Sequence, residues 1–144
     1  MRSIDFYLPM IPPTATYQEK QINWKRKAIY QNQKSKDARE KLRAHLVKYI
    51  PDEPLTGPIR MMIGWYYPVS GSHKDGDWYT NKPDIDNVQK MLQDVMTELG
   101  FWKDDSQIAS LMSSQNWSAT PGIVITLCEL PKNIFEEDTT VNHE

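Results

Sequence analysis

One amphipathic segment constrains this chain more than any other feature. Val88, Met91, Leu92, Val95 and Leu99 fall at i, i+3, i+4, i+7 and i+11, which places them on one apolar face of a helix. Gln89, Lys90, Gln93, Asp94, Thr97 and Glu98 fill the other side. Pro83 biases Lys82 towards an extended backbone, so the helix should begin just after it. Asp84 or Asp86 can cap the free N–H groups, and Gly100 is a natural residue for the left-handed position past the end. Lys90 follows Asp86 by one turn and can reach the same side.

Acidic clusters flank this helix. Asp84 and Asp86 precede it, in Lys82-Pro83-Asp84-Ile85-Asp86-Asn87, and Asp104 and Asp105 follow, in Lys103-Asp104-Asp105-Ser106-Gln107. A chain reversal after the helix can bring both clusters to one surface. Carboxylates gathered that way repel: at ~5 Å and an effective dielectric of ~20, each pair costs roughly 3 kcal/mol. A divalent cation removes that cost, and an all-oxygen donor set favours a hard one, Mg2+ or Mn2+. Two readings stand on these residues alone. In one the acids hold a metal. In the other they cap a helix and form a turn, and Lys90 is part of a solvated face. A calcium loop is excluded, because Gln89 and Val95 stand where its Gly and Glu are needed. His45, His73 and His143 are scattered and unpaired with cysteine, which argues against zinc.

The run KPDIDNVQKMLQDVMTELGFWKDDSQI, Lys82 to Ile108, resembles the signature of the RusA family of Holliday-junction resolvases. Weaker similarity extends to Leu8-Pro9, Pro12-Pro13-Thr14, the basic segment ending at Tyr30 and the strand after Gln107. Three departures stand out. Ala15 and Thr16 occupy positions where the family often has Asn after its Pro-Pro-Ser/Thr. Ser70–Asn81 reads as an insertion, and the tail beyond Pro131 has no counterpart. The resemblance implies metal-binding, catalytic carboxylates at Asp84, Asp86 and Asp105, with Asp104 as a fourth acidic contributor and Lys90 as the basic residue beside them. Asn87 and Gln107 would orient groups at the site, and Lys82 would contact phosphate.

The implied activity is a Mg2+-dependent endonuclease, with Mn2+ able to substitute, that resolves four-way junctions by paired nicks in DNA recombination and repair. A homodimer with one acidic site per subunit matches the two-fold symmetry of such a junction. No organic cofactor is implied. Two alternatives remain at this point: a less selective nuclease for branched or flap DNA, and a non-catalytic DNA-binding protein whose acids only cap a helix.

Charge bears on that choice. The 144-residue chain carries a formal −2. The tail Lys132–Glu144 sets one Lys against four acids, a net of −3, so residues 1–131 are at +1. Within Gln18–Lys48, ten Lys and Arg stand against three acids, a net of +7. Such a segment can neutralise several phosphates. Lys25, Arg26, Lys27 and Lys34 are its candidate DNA contacts, and Tyr17, Trp24 and Tyr30 could pack on sugars or unstacked bases.

The remaining pattern predicts an α+β fold: a four-stranded mixed sheet with two helices on one face, in the order β-α-β-α-β-β. Ile4, Phe6 and Leu8 alternate as a first strand. Pro9–Gln33 reads as a long loop, and Ser35 as the cap of a helix to about Ile50 with Ala38, Leu42, Leu46 and Tyr49 inward. Ile59, Met61, Ile63, Trp65 and Tyr67 alternate as the second strand, and Ser70–Asn81 reads as a flexible loop. Gln107–Trp117 and Ile123–Leu130 are the last two strands, expected to form a hairpin. Phe101 and Trp102 read as core anchors, and Cys128 as a small core residue. The expected organisation is one nuclease domain over residues 1–131 and a disordered acidic tail over 132–144. One cysteine, no apolar run of membrane length and no signal-peptide pattern suggest a soluble, cytoplasmic protein.

Overall fold

The computed structural model describes residues 1–15 and 25–136, and over 25–32 only the backbone. Its elements are β1 (Ser3–Leu8), α1 (Lys25–Leu46) with a 3-10 turn at Val47–Tyr49, β2 (Ile59–Pro68), α2 (Ile85–Leu99), a 3-10 turn at Asp105–Gln107, β3 (Ile108–Ser118) and β4 (Gly122–Glu129). The α+β class and the element order match the sequence reading.

The strands form one mixed sheet in the order β1-β4-β2-β3. β4 is antiparallel to both β1 and β2, whereas β2 and β3 are parallel. The expected β3–β4 hairpin is therefore absent, although only residues 119–121 join the two strands. Burial explains the order. β2 contributes Ile59, Met61, Ile63, Trp65 and Tyr67 to the core, and β4 contributes Ile123, Ile125 and Leu127. These two strands take the centre, where both sides are paired. β3 carries Ser110, Ser113 and Ser114 and takes the edge.

The apolar face of α2 packs as its spacing requires. Val88, Met91, Leu92, Val95 and Met96 are buried, and Leu99 lies partly buried against them. Gln89 departs from the expectation of a solvated face. It is buried, donating to Gln93 Oε1 at 3.1 Å and lying 3.4 Å from Met61 Sδ. Gly100 closes α2 with φ 88°, the left-handed conformation that favours glycine. Phe101 and Trp102 are fully buried, which bears out their reading as anchors. Trp102 Nε1 donates to Thr97 Oγ1 at 2.7 Å, tying the turn to the helix it follows.

Three expectations are corrected. α1 begins at Lys25, so the segment read as loop up to Gln33 is partly helical, and Ser35 lies buried within the helix rather than at its cap. The run after Trp24 contains no Gly or Pro before Pro51, so nothing in it stops a helix. Leu42 and Leu46 are buried as read, with Ala38 and Tyr49 against the core. Cys128 is only half-buried, because it points to the open side of β4, with its Sγ 3.4 Å from Ser3 Oγ. Ser70–Asn81 is not a featureless loop. Its backbone runs along the outer side of β3: Gly76 N donates to Trp117 O, Trp117 N to Asp77 O and Tyr79 N to Gln115 O, at 2.8, 2.8 and 3.0 Å. Stacking of Tyr79 on Tyr67 and of His73 on Trp117 holds it there. Among the described residues, no helix is long and apolar enough to cross a membrane.

Candidate metal and DNA-binding site

The first acidic pair is delivered by an anchored approach. Tyr79 stacks on Tyr67 with ring centroids 3.8 Å apart, and its hydroxyl donates to Lys82 O at 2.8 Å. Gln115 Nε2, on β3, donates to Pro83 O at 3.4 Å. Tyr67 also donates its hydroxyl to Pro13 O at 3.1 Å, which brings the Pro12-Pro13-Thr14 turn to the same end of the sheet. The Lys82–Pro83 peptide is cis. Asp84 then occupies the N-cap of α2, yet its side chain makes no capping hydrogen bond. Asp84, Asp86, Lys82 and Lys90 are all exposed, and Asn87 is half-buried. A helix N-terminus favours negative charge and has unpaired N–H groups. The Asp84 carboxylate faces solvent instead of using them.

The second cluster is a braced turn. Gln107 Oε1 accepts from Lys103 N and Asp104 N, at 3.0 and 3.1 Å, while its Nε2 donates to Leu55 O and Gly57 O, at 3.1 and 3.0 Å. Asp104 accepts from Ser106 N at 2.9 Å, and this backbone bond holds its carboxyl below the usual range. The side chain of Asp104 is thus committed to the turn, and so is that of Gln107. Asp105 sits between them, half-buried, at the mouth of a cleft shared with Asp94, Glu98, Lys103 and Arg39.

Asp94 is the acid that sequence reasoning left on a solvated face. Its carboxyl is raised above the ordinary value, first by partial burial and then by the charges of Asp105 and Glu98. Its spacing of four from Glu98 was a usable signal, since like charges one turn apart repel. Glu98 is drawn the other way by Arg43 and Arg39, which both pair with it; the Arg43 contact is 2.6 Å. Two cations of the basic window are therefore occupied in joining α1 to α2. Lys34 is exposed at the rim of a cleft beside Pro12 and Pro13. Lys25, Arg26 and Lys27 lie on the described backbone of α1 without described side chains, Tyr30 likewise, and Tyr17 and Trp24 lie outside the described residues.

One chain does not bring the two clusters together. Asp105 acts on Asp94, and Asp94 is ten residues beyond Asp84, ~15 Å along the helix axis. The sheet gives a concordant measure. Asp105 opens the 3-10 turn that leads into β3, whereas Pro83 is held by Gln115, so ~26 Å of strand separates Gln107 from the anchored end of the motif. Among the described residues, no group of three or more His, Cys, Asp or Glu side chains is placed to hold a metal ion.

The family model for endodeoxyribonuclease RusA matches residues 10–128. The chain belongs to the RusA family. A relative described as crossover junction endodeoxyribonuclease rusA, from Lactococcus phage r1t, is 38% identical over 72 residues, covering 49% of this chain and 55% of that protein. The uncharacterized protein YqaN of Bacillus subtilis (strain 168) is 33% identical over 91 residues, covering 56% of this chain and 63% of its own length. The chain thus spans less than two thirds of either curated relative.

Proposed function

We propose that this RusA-family chain is a divalent-metal-dependent DNA endonuclease that resolves four-way junctions, working as a homodimer in recombination and repair. Family membership and the name of the phage relative support the reaction class. The separation of the two acidic clusters supports the assembly and carries the reading. Two copies related by a two-fold axis can supply Asp84 and Asp86 from one subunit and Asp105 from the other, twice, which matches two symmetric nicks.

The donor set is all carboxylate oxygen and fits Mg2+ or Mn2+. Such a cation supplies Lewis acidity and lowers the pKa of a coordinated water. The chain's own groups do the rest. Lys90, one turn past Asp86, neutralises charge developing on the phosphoryl oxygens. Lys82 and Asn87 sit at the helix entry to bind and orient the phosphate. Asp104 and Gln107 fix the turn that presents Asp105. The basic N-terminal half of α1, with Lys25, Arg26, Lys27 and Lys34, binds the DNA arms through phosphates.

Mixing two inactive variants tests the arrangement. Equal amounts of Asp84→Asn and Asp105→Asn, exchanged to equilibrium, should recover about a quarter of wild-type junction nicking. Half of the dimers are then mixed, and each of those has one intact site of two. No recovery from a mixture shown to contain heterodimers rejects the shared site. Parallel assays on four-way, three-way and linear DNA, with and without Mg2+, test the substrate; equal rates on all three would indicate a general nuclease.

A further inference from the structure

Resting on the reading of this chain as a DNA endonuclease, we infer that the helix-free face of the sheet carries a stacking site for unpaired bases beside the Asp84 motif, with Trp78 as its principal residue. A row of aromatic side chains, the rigid mounting of one of them and the position of the row support the site.

The row follows from strand register. Ile59, Met61, Ile63, Trp65 and Tyr67 of β2 are buried towards the helices, so Met62, Gly64 and Tyr66 face the other way. Tyr66 stands between Gly122 of β4 and Asn116 of β3, and Asn116 in turn pairs with Trp78. Tyr7 of β1 reaches into the same row: its hydroxyl donates to Pro121 O at 2.7 Å, and its ring lies over Gly122. The ring of Tyr66 lies over Gly64. A Cβ at either glycine would collide with the ring above it, so both rings depend on a glycine beneath. Aromatic surface therefore spans this end of the face from β1 to the outer side of β3.

Trp78 is 71% exposed, whereas Trp65, Trp102 and Trp117 are buried. Its backbone is nonetheless fixed on both sides. Gly76 N donates to Trp117 O, Trp117 N to Asp77 O and Tyr79 N to Gln115 O. Tyr79 packs on Tyr67, towards the helices, and alternation along an extended segment turns Trp78 to the opposite face. An uncovered ring on a fixed backbone is pre-organised for a ligand, because little freedom is lost on contact.

The row lies at the end of the sheet where the first acidic pair is held. The Tyr79 hydroxyl donates to Lys82 O, and Gln115, next to Asn116, donates to Pro83 O. Six residues separate Trp78 from Asp84, a reach of no more than ~22 Å. Lys74 and Lys82 are both exposed and bracket the segment with positive charge. Asp75 and Asp77 accept from Ala119 N and Lys74 N, at 2.9 and 2.8 Å. A DNA strand with a phosphate near Asp84 can lay a neighbouring base on Trp78. Stacking on an aromatic side chain tolerates any base but needs that base unstacked from its own strand. A branch point offers such bases and an intact duplex does not, so the site favours branched over linear DNA. A docked protein is the competing occupant, since Met112 and Val124 are exposed further along the same face.

Fluorescence anisotropy on the full chain in EDTA tests the site, with a labelled oligothymidylate, a duplex of equal length and a four-way junction. Trp78→Ala should weaken binding to the single strand about 5- to 150-fold and weaken junction binding, while duplex binding stays unchanged. Trp78→Phe should restore most of the loss. Circular dichroism and sedimentation velocity should show the same fold and assembly as wild type. A second measurement leaves the protein unaltered: an oligothymidylate carrying 5-iodouracil should photo-cross-link to the peptide that contains Trp78. Wild-type affinity of Trp78→Ala for all three DNAs, an equal loss on duplex and single strand, or absence of that cross-link overturns the site. A variant changed only in sedimentation also overturns it, and assigns Trp78 to a protein contact. Binding without metal separates this result from the activity. A wild-type chain that stacks bases on Trp78 yet cuts no junction in Mg2+ rejects the endonuclease reading alone.

Discussion

Gln107 reaches back through its Oε1 to the backbone N–H of Asp104 at 3.1 Å, while its Nε2 holds Leu55 O and Gly57 O. One side chain thus ties the turn that presents Asp105 to the connection entering β2.

Removing it should loosen that turn. Gln107→Ala leaves partly buried carbonyls and two turn N–H groups without their partner, a loss of about 1–3 kcal/mol. Chemical denaturation measures this. Junction cleavage should fall more than junction binding, because Asp105 is displaced while the basic surface is unchanged. Equal losses in both assays would argue against a positioning role.

The two adjacent acids of the turn should behave differently. Asp105→Asn is expected to abolish cleavage, as are Asp84→Asn and Asp86→Asn, with junction binding intact or stronger because repulsion against phosphate is relieved. Asp104→Asn should cleave at close to the wild-type rate, since its carboxylate accepts from Ser106 N and asparagine caps as well. A cleavage-dead Asp104→Asn that keeps its fold would move that residue into the metal set.

Asp94 reports on Asp105 without DNA. Burial and then the Asp105 charge raise its carboxyl, so Asp105→Asn should lower the Asp94 pKa. Carboxyl-detected NMR titration of both proteins checks the direction. An unchanged Asp94 titration would place the two groups further apart than described.

Acid stability should depend on Glu129. Burial pushes its carboxyl up, but hydrogen bonds from Thr56 N and from Arg2, together with the Arg2 charge, outweigh this and hold it down at about 2. The folded value lies below the unfolded one, so the stabilisation is present above about pH 4.5 and is lost as pH falls towards about 2. Its size is at most about 3 kcal/mol. Glu129→Gln should be less stable than wild type at pH 7, and the two melting curves should converge near pH 2. A difference independent of pH would point to packing rather than charge.

Much of this architecture was legible because it repeats locally. The period of α2, the alternation in β1, β2 and β4, the left-handed Gly100 and the anchoring of Phe101 and Trp102 follow from side chains within a few residues of one another. The extent of α1 was not. Its first turns have no apolar stripe to mark them, and Ser35 offered a false start. Asp94 and Gln89 were hidden for a related reason: a polar residue on a helix is read as solvated until a neighbouring strand or turn is known to cover it.

The sequence by itself determined where carboxylates and positive charge concentrate, since both are counted along the chain. Tertiary structure alone decided where those groups lie. β4 takes the place beside β2 that chain adjacency assigned to a β3–β4 hairpin, because burial of two apolar faces outweighs the shortness of a loop. Asp94 is ten residues beyond Asp84, ~15 Å along the axis of α2, and the turn that carries Asp105 returns to Asp94. No local pattern encodes that Asp105 comes to lie beside Asp94 rather than beside Asp84.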